Sequence, residues 1–508
     1  MKLSIGLRSE NYGWERILKQ EGCSHFYLSL PQLNDFPIII IPALKDKQDK
    51  EAILEHVSDG KVAILEPRAY REMFKARFKK RKVKYLVPEE NSCLQHLGLT
   101  DIFCEFYELK SENINYLDRT FKISIESYGN GYIILLPFDL NSVLMNSDSK
   151  RKRFYAEGNE LPSELVSKVS KGKIRQLVVR ILKYAHDLID IPFVRRWYYP
   201  ADYKNAFLFR LDTDYCSKED AMTVYKLCSD YQIKATWFLD TVSPERLKEV
   251  YAGFELQEIG LHCFRHKVFP DYQSNYDNLK LGLDELNKVG IHSHGFAAPF
   301  GSWNINLAKA IEDLGFDYSS EFSLDYDDLP FYPIFDNDYS PVLQIPIHPI
   351  SIGRLLRSHY SEKEMKAYYK MVLANEFSLH QPALFYYHPH RQKNEVIEYI
   401  FSLIDKDSTW QPSFIEYAKW WQQRWKKTHT IRLEDGKLFC ENKDDEDYFL
   451  ISENGKETLT KLNKAKRLAE LDWEEFPKGI SKERMQMRRF HWRDLLYNFE
   501  SMKGRMQQ

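Results

Sequence analysis

The chain has 508 residues and a mass of 60.4 kDa, a length that predicts about three domains at ~150 residues per domain. Its 72 Lys and Arg residues nearly balance 74 Asp and Glu residues, and the net charge of −2 argues against a nucleic-acid partner. Hydrophobic residues make up 43% of the chain, which excludes wholesale disorder. Seven cysteines without CxxC spacing favour neither a disulfide framework nor a four-cysteine zinc site.

The N-terminal segment, MKLSIGLRSENYGWERILKQ, carries charges throughout and lacks the apolar core of a signal peptide. The longest apolar runs, near residues 38–41 and 132–138, are far shorter than the ~20 residues that a membrane helix needs. Together with the unpaired-looking cysteines, these features predict a cytoplasmic protein without a transmembrane segment.

Residues 1–145 alternate predicted strands and helices. FPIIIIPAL (36–44) is typical of a buried strand, KVAILEP of another, and a basic helix is predicted to follow the second. A hairpin that turns near Asn130-Gly131 closes the segment. The alternation predicts a small α/β domain that resembles the flavodoxin-like, glutamine-amidotransferase-like architecture. No Gly-x-Cys-x-Gly nucleophile turn is present, which favours a structural or substrate-positioning role.

Residues 146–202 open with a polar stretch and continue with a predicted helix, and we interpret them as a linker and a bracing helix. From 203 to 426 strands and helices alternate regularly, as in AFLFRLDTD, IKATWFL, ELQEIGLHC and ALFYYHPH with helices between them. This rhythm predicts a parallel barrel or an open α/β sheet, whose active site would lie at the C-terminal strand ends.

Residues 427–508 contain two predicted hairpins, which turn at Asp435-Gly436 and Asn454-Gly455 and indicate a small β module. The final stretch, 481–508, is basic and predicted to be helical. A docking helix is the simpler interpretation, and a peripheral contact with a membrane surface or a partner is the alternative.

Two aspartates end the first strand of the 203–426 segment. In RLDTD, Arg210, Asp212 and Asp214 alternate along an extended chain and therefore share a face. Two carboxylates at one strand end repel each other unless a metal ion or another cation lies among them. The pattern is weak by itself, because Asp-x-Asp also occurs in turns and caps.

Other strand ends carry further polar or constrained groups. His262 and His266 have the i, i+4 spacing that brings two imidazoles to one face of a helical turn, where both can bind one metal. AAPFG (297–301) predicts a fixed loop with exposed backbone N–H groups. His388 follows a predicted strand and suits a general acid, because the ordinary pKa of histidine lies near working pH.

In order and spacing, these segments resemble the polysaccharide deacetylases of the NodB-homology type, carbohydrate esterase family 4, over roughly 205–425. EIGLHCFRH (258–266) is similar to the family's second motif, EIGNH[ST]xxH, and AAPFGSWN (297–304) to its third, Arg-x-Pro-Tyr-Gly-x-x-Asn. FRLDTD resembles the first motif, Thr-Phe-Asp-Asp-Gly, with one residue inserted. Tyr386-Tyr387-His388 resembles the fifth, Leu-x-His.

The resemblance implies a distorted (β/α) barrel and metal-dependent hydrolytic deacetylation. It implies a divalent metal, most commonly zinc, held by Asp214, His262 and His266, with positions left for water and the substrate carbonyl. Asp212 would then be the general base. The inserted Thr213 leaves the reverse assignment of the two aspartates open.

The resemblance also implies that the backbone N–H of Phe300, next to Pro299, stabilises the oxyanion and that His388 protonates the leaving amine. A carboxylate of the 325–328 segment would orient His388. The sequence does not choose among Asp325, Asp327 and Asp328.

Two positions depart from the family pattern. Ala297 stands where the family has an arginine that pairs with the catalytic aspartate. Arg210 is the predicted substitute, although a surface or substrate-binding arginine is equally compatible. Cys263 replaces a serine or threonine, either as a packed neighbour of the metal-binding histidine or as a thiol at the metal.

The favoured hypothesis is a metal-dependent carbohydrate deacetylase that hydrolyses N-acetyl or O-acyl groups on a sugar or glycan precursor. A cytoplasmic location would suit a nucleotide-linked or lipid-linked sugar. One alternative is a catalytically impaired glycan-binding or scaffold protein, which Ala297 supports. Another is a hydrolase of small non-peptide amides. Trp197, Tyr198 and Tyr199 are candidates for stacking on sugar rings, with a core position as the simpler interpretation.

Overall fold

The computed structural model describes residues 1–88, 94, 100–109, 120–121, 123–154, 162–242, 245–442 and 444–475. The predicted basic helix 481–508, with its proposed membrane or partner contact, lies outside the described residues. Within the described part of the chain, no helix combines the length and the apolar character needed to cross a membrane.

The chain divides into two compact units. Among the described residues, the mixed-sheet unit contains 1–146, 169–202 and the residues from 423 onward. The barrel unit contains 147–168 and 203–422. The predicted linker (146–202) is divided between the two units. The described residues of the predicted C-terminal module (427–508) belong to the mixed-sheet unit. Neither segment forms a unit of its own.

The strands before residue 203 are β1 (Ile5–Leu7), β2 (His25–Tyr27), β3 (Ile38–Ile41), β4 (Val62–Leu65), β5 (Phe78–Pro88), β6 (Thr100–Leu109), β7 (Thr120–Phe121), β8 (Ser124–Tyr128), β9 (Gly131–Leu135), β10 (Ser149–Arg153), β11 (Ser163–Ser167) and β12 (Phe193–Arg196). The later strands are β13 (Asn205–Asp212), β14 (Thr236–Asp240), β15 (Glu258–Cys263), β16 (Gly295–Phe296), β17 (Tyr318–Ser319), β18 (Ile334–Phe335), β19 (Asp338–Tyr339), β20 (Leu343–Gln344), β21 (Ala383–Tyr387), β22 (Thr409–Trp410), β23 (Thr430–Glu434), β24 (Lys437–Glu441), β25 (Tyr448–Glu453), β26 (Lys456–Lys461), β27 (Lys466–Arg467) and β28 (Glu474–Glu475).

The helices are α1 (Tyr12–Glu21), α2 (Asp49–Ser58), α3 (Pro67–Phe74), α4 (Leu140–Leu144), α5 (Lys171–Asp187), α6 (Lys218–Asp230), α7 (Glu245–Ala252), α8 (Tyr272–Lys288), α9 (Ile305–Asp313), α10 (Ile352–Arg357), α11 (Glu362–Ser378), α12 (Asn394–Ser402) and α13 (Phe414–Lys426).

The barrel unit is built on a parallel sheet with the strand order β20-β17-β16-β15-β14-β13-β21, and β22 also pairs with β13. The sheet curls, because the segment after β20 reaches β21 at the opposite edge: the His348 N–H donates to the Leu384 carbonyl at 2.8 Å. The prediction of a parallel α/β sheet with alternating strands and helices is therefore confirmed, in the form of a curled half-barrel.

Strand β13 shows why the site lies inside this sheet. Phe207, Phe209 and Leu211 belong to the main hydrophobic core of the barrel unit, so the alternate residues Arg210 and Asp212 face the other side. Both faces of the strand are covered, which suits its largely apolar sequence. The parallel strands all end at the same edge of the sheet, where side chains that are far apart in sequence meet.

The segment 147–168, part of the predicted linker, is a hairpin of β10 and β11 within the barrel unit. The Ser167 N–H donates to the Phe322 carbonyl at 3.0 Å, and Lys152 Nζ donates to the Tyr326 hydroxyl at 3.2 Å. Arg354 Nη2 donates to Ser163 Oγ at 2.9 Å. The polar stretch that was predicted to be a linker is thus an extended strand that packs on the barrel.

The mixed-sheet unit contains a sheet with the order β2-β1-β3-β4-β9-β8, parallel except for the last pair. The predicted buried strand at 38–41 and the hairpin near Asn130 are both present. The basic helix that was predicted to follow the KVAILEP strand ends at Phe74. Its predicted continuation is wrong, because Lys75 adopts a positive φ of 52° and the chain continues as β5.

The two C-terminal hairpins turn where the sequence predicts. Asp435 and Gly436 have φ values of 48° and 71°, and Asn454 and Gly455 have 46° and 80°, the pattern of a type I′ turn. The hairpins join different sheets, since β25 pairs with β12 in the order β12-β25-β26-β28 while β23 and β24 pair with β27.

Trp197, Tyr198 and Tyr199 are 2%, 2% and 1% exposed and belong to the interior of the mixed-sheet unit. The Tyr198 hydroxyl donates to Glu21 Oε2 at 2.5 Å, and Arg175 and Arg195 form ion pairs with the same buried carboxylate. These aromatic rings therefore serve the core and are not available to stack on a sugar.

Candidate active site

The predicted polar strand ends of the barrel unit converge at one edge of its sheet. Asp214 follows β13, His262 is the last residue but one of β15, and His388 follows β21. The ligand atoms of Asp214, His262 and His266 all lie within 4.8 Å of one another. Asp214 Oδ1 is 3.1 Å from His262 Nε2, and Asp214 Oδ2 is 2.9 Å from His266 Nε2.

The two histidines do not lie on a helical turn, so that part of the prediction is wrong. His262 ends a strand, and His266 lies in the bend that follows Cys263. The bend turns the chain back, which brings the two ring centroids to 5.1 Å. The predicted convergence on one point holds because the bend, rather than helical periodicity, supplies it.

The nitrogen atoms of this cluster are oriented for a cation. His262 Nδ1 is 2.6 Å from the Ala297 carbonyl oxygen, which can only accept, so Nδ1 carries the hydrogen and Nε2 presents its lone pair to Asp214. Asp214 Oδ1, His262 Nε2 and His266 Nε2 are buried and form no hydrogen bond with a described residue. Buried polar atoms without partners are rare, and three that converge fit a divalent metal that prefers imidazole and carboxylate ligands.

Electrostatics favours positive charge at this point. Burial opposes ionisation of Asp214, yet the charge of His262 and the close contacts with both histidines hold the pKa of its carboxyl well below the usual range. Burial lowers the pKa of His262, but Asp214 outweighs it and raises this pKa to about 9. The pair therefore favours a positive charge between its members, either a proton or a metal ion.

Asp212 has a different partner. Arg210 Nε donates to Asp212 Oδ1 at 2.6 Å and Nη2 donates to Oδ2 at 2.8 Å, and both side chains are buried. Burial alone would raise the pKa of Asp212, but the Arg210 guanidinium outweighs it and lowers this pKa below the usual range. Arg210 is therefore the cation that pairs with Asp212, while its catalytic role stays a prediction.

Arg210 is itself held firmly. Its Nη1 donates to the Ser320 carbonyl at 2.9 Å, and its guanidinium lies 5.2 Å from the Phe238 ring centroid and 5.6 Å from that of Tyr386. A guanidinium between aromatic rings with fixed acceptors has little freedom to reorient. The interpretation of Arg210 as a surface arginine is excluded by its burial.

His388 lies close to the cluster, with Nε2 at 3.7 Å from Asp214 Oδ2. Burial lowers its pKa to about 4, although Asp214 and Asp212 oppose this effect. Its Nδ1 is buried and has no hydrogen-bond partner among the described residues. His390 lies alongside, with ring centroids 5.8 Å apart and a pKa that burial also lowers to about 4.

The expectation that a carboxylate of the 325–328 segment orients His388 is not met. Asp327 Oδ1 instead lies 3.0 Å from His348 Nδ1, while the other nitrogen of His348 lies 2.9 Å from the Tyr368 hydroxyl. Asp325 accepts from the Tyr326 N–H and Asp328 from the Leu329 N–H. Asp327 adopts a positive φ of 47°.

The loop that follows β16 places the Phe300 side chain beside the cluster. Phe300 has a left-handed φ of 58° and is 71% exposed, while Pro299 is buried. The Phe300 ring lies 4.8 Å from the ring of His266, and its N–H has no partner among the described residues. The left-handed backbone of Phe300 is strained for a residue with a side chain, and the oxyanion contact of its N–H stays a prediction.

Cys263 is buried and is not part of the cluster. The register of β15 shifts at this point, since Leu239 pairs with Leu261 and Asp240 with Cys263. Burial, with the charges of Asp240 and Asp214, raises the pKa of its thiol well above the usual value. The structure therefore favours the packed neighbour over the metal-bound thiol.

Sequence reasoning missed Glu321, which is fully buried just after β17. Its Oε1 accepts from the Ala298 N–H at 3.2 Å. Burial raises its pKa to about 7, against hydrogen bonds from Ser319 and the charge of Arg210. The signal was a charged residue at a predicted strand end, in YSSEF, where a parallel sheet gathers its functional groups.

No family model matches the chain, and no curated protein matches it. Among solved structures, the Puue allantoinase is 14% identical, with 44% of this chain and 93% of that chain covered and a TM-score of 0.38. A structure titled "probable polysaccharide deacetylase", from Pseudomonas aeruginosa PAO1, is 15% identical, with 44% and 92% covered and a TM-score of 0.37. A polysaccharide deacetylase from Bacillus cereus is 13% identical, with 41% and 91% covered and a TM-score of 0.31. Over less than half of its length, the chain is thus similar to solved polysaccharide deacetylases.

Proposed function

We propose that the chain is a metal-dependent hydrolase that removes N-acetyl or O-acyl groups from a carbohydrate. The observation that carries this proposal is the cluster of Asp214, His262 and His266, whose buried ligand atoms converge without other partners. Asp212 with its arginine and His388 lie around the same point. A metal site with a separate carboxylate and a separate imidazole suits hydrolysis of an acyl group.

Asp214, His262 and His266 would hold the metal, and two imidazoles with one carboxylate are a ligand set that suits zinc. When bound, the cation supplies a Lewis acid that polarises the substrate carbonyl and makes a nearby water more acidic. Asp212 is the better general base, because Arg210 occupies both of its oxygens with hydrogen bonds and holds it ionised beside the cluster. This assigns Asp214 to the metal and Asp212 to the proton of the attacking water.

The Phe300 N–H would donate to the oxyanion that forms when water adds to the acyl carbon. His388 would give a proton to the leaving nitrogen or oxygen of the sugar. Burial lowers the pKa of His388 to about 4, so the side chain is neutral at rest. It would first have to take up a proton, in balance with the one that Asp212 removes from the attacking water, before it could protonate the leaving group. The catalytically impaired alternative rested on Ala297, and the Arg210 side chain supplies the missing guanidinium.

The test combines metal analysis of the purified protein with acetate release from N-acetylated and O-acetylated sugars, both free and linked to nucleotides or lipids. We expect about one divalent metal per chain and acetate release from at least one sugar. His262→Ala should lose both, while the control His294→Ala should lose neither, because His294 pairs with Asp317 at the surface.

A wild-type protein that folds but retains no metal, or a His262→Ala variant that binds ligand and metal unchanged, would sink the proposal. Turnover of small amides with no activity on any sugar would replace the carbohydrate substrate by the small-amide alternative.

A further inference from the structure

The peptide bond between Ala297 and Ala298 has a buried partner at each end. Its carbonyl oxygen accepts from His262 Nδ1 at 2.6 Å, and its N–H donates to Glu321 Oε1 at 3.2 Å. In a trans peptide the C=O and the N–H point in opposite directions, so His262 and Glu321 lie on opposite sides of one planar group. A single peptide therefore links a buried carboxylate to an imidazole of the metal cluster.

Glu321 is fixed at its other oxygen as well. With the Gln344 amide oriented to satisfy both of its ends, its nitrogen donates to Glu321 Oε2 at 3.0 Å and its oxygen accepts from the Glu321 N–H at 2.7 Å. Neither Glu321 nor Gln344 is exposed to solvent by more than 1%. The carboxylate is thus a rigid acceptor rather than a mobile surface group.

We infer that Glu321 is a positioning residue for the metal site, which acts on His262 through the Ala297–Ala298 peptide. A carboxylate that accepts from a peptide N–H polarises the peptide and strengthens its carbonyl as an acceptor. The stronger carbonyl holds the hydrogen on His262 Nδ1 and presents Nε2 as the ligand atom, the role that a directly bonded carboxylate has behind many metal-binding histidines. The inference deepens the proposed function and rests on it.

The same contact anchors the loop that carries the Phe300 N–H, since Ala298 immediately precedes Pro299. The Gly301 carbonyl accepts from the Ser323 N–H at 3.0 Å and holds the other end of this loop. Phe300 keeps its left-handed backbone between these two anchors. Loss of the Glu321 contact would therefore disturb both the orientation of His262 and the position of the loop.

The test measures the dissociation constants of Zn²⁺ and Co²⁺ by chelator competition for Glu321→Ala and Glu321→Gln, together with the visible spectrum of the Co²⁺ form. Glu321→Ala should weaken metal binding about 10-fold to 100-fold, the usual effect of removing an outer partner of a ligand, and should alter the Co²⁺ spectrum. Glu321→Gln keeps an acceptor for the Ala298 N–H and should recover most of the affinity.

The matched control is Glu258→Ala. Glu258 lies at the opposite end of β15 from His262 and accepts from the Tyr318 hydroxyl at 2.6 Å and from the Ile415 N–H at 2.8 Å. It should lose stability in the metal-free protein with little change in metal affinity. If both alanine variants lose affinity in proportion to their loss of metal-free stability, Glu321 has a structural role alone and the inference is wrong.

The inference also fails if Glu321→Ala binds both metals as tightly as the wild type while His262→Ala does not. If Glu321→Ala does not fold, Glu321→Asp takes its place, because the shorter side chain draws the carboxylate back from the Ala298 N–H. An unchanged Co²⁺ spectrum and an unchanged metal affinity in Glu321→Asp would overturn the inference. A wild type without metal binding removes the proposed function and this inference together, an outcome distinct from either of these.

Discussion

Arg210 and Asp212 form a two-pronged ion pair from alternate positions of one strand, with N–O distances of 2.6 and 2.8 Å. Both side chains are buried, so the carboxylate stays ionised only because the guanidinium accompanies it. The cation and the carboxylate that it serves thus lie two residues apart.

Replacing Arg210 should move the acidic limb of the pH–rate profile. The guanidinium lowers the pKa of Asp212, so Arg210→Ala should raise that pKa. The acidic limb, along which activity rises with pH, should then move to higher pH. Arg210→Lys keeps the positive charge but loses the two-pronged contact with Asp212, and should shift the acidic limb less. An acidic limb that stays in place in Arg210→Ala would refute the assignment of Asp212 as the base.

The same substitution should destabilise the protein. Removing one member of a buried ion pair leaves an uncompensated charge, which costs about 3–5 kcal/mol of unfolding free energy. Lys226→Ala is the control, because Lys226 pairs with Asp230 at the surface and its loss should change the free energy of unfolding little. Urea denaturation of both variants measures the difference. A loss below ~1 kcal/mol in Arg210→Ala would contradict the burial of the pair.

His388→Ala should separate chemistry from metal binding. His388 Nε2 lies 3.7 Å from Asp214 and outside the three-residue cluster, so the variant should keep its metal content. Loss of a general acid should lower kcat by about 100-fold to 10,000-fold with a smaller change in KM. Loss of metal in His388→Ala comparable to that in His266→Ala would show that His388 is a ligand instead.

Cys263→Ala should leave the metal site intact. The thiol is not one of the three clustered groups and burial keeps it protonated, so the metal dissociation constant should change by less than about 3-fold. Stability should fall by about 1–2 kcal/mol for the lost packing. In the native protein Cys263 should resist thiol reagents. A tenfold weaker metal affinity in this variant would favour a thiol at the metal.

Glu66 should make the stability of the protein depend on pH. Burial, aided by Asp139, raises its pKa to about 8 in the folded chain, while the Trp14 indole N–H donates to Oε1 at 2.7 Å. Between the ordinary pKa of glutamate and pH 8, the folded state then binds more protons than the unfolded state. Stability is therefore full below the unfolded pKa and falls as the pH rises toward 8.

Each unit of that pKa difference contributes about 1.4 kcal/mol, so the loss should amount to a few kcal/mol. Glu66→Gln keeps the acceptor for Trp14 and should flatten the decline, as measured by urea denaturation between pH 5 and pH 8. Glu51→Gln, at an exposed position of α2, is the control and should leave the slope as in the wild type. An equal slope in Glu66→Gln would refute the raised pKa.

Much of the barrel unit could be predicted from the sequence, because its cues are local. Apolar runs followed by Asp, His or Pro predict buried strands with functional ends, and all parallel strands end at one edge. That reasoning sufficed to bring Asp214, His262, His266 and His388 together before any coordinates. It was wrong about the local structure, because the bend after Cys263, and not a helical turn, brings His262 and His266 together.

Only the tertiary structure decided contacts between segments distant in sequence. Glu321 reaches the metal cluster through the Ala297–Ala298 peptide, and Asp327 serves His348 rather than His388. The hairpin 147–168 packs on a barrel that begins more than thirty residues later, at 203. The sequence by itself determined which side chains lie at strand ends, since periodicity and turn chemistry act over a few residues. Which of them share a hydrogen bond depends on how strands pair and loops bend, and no local pattern encodes that.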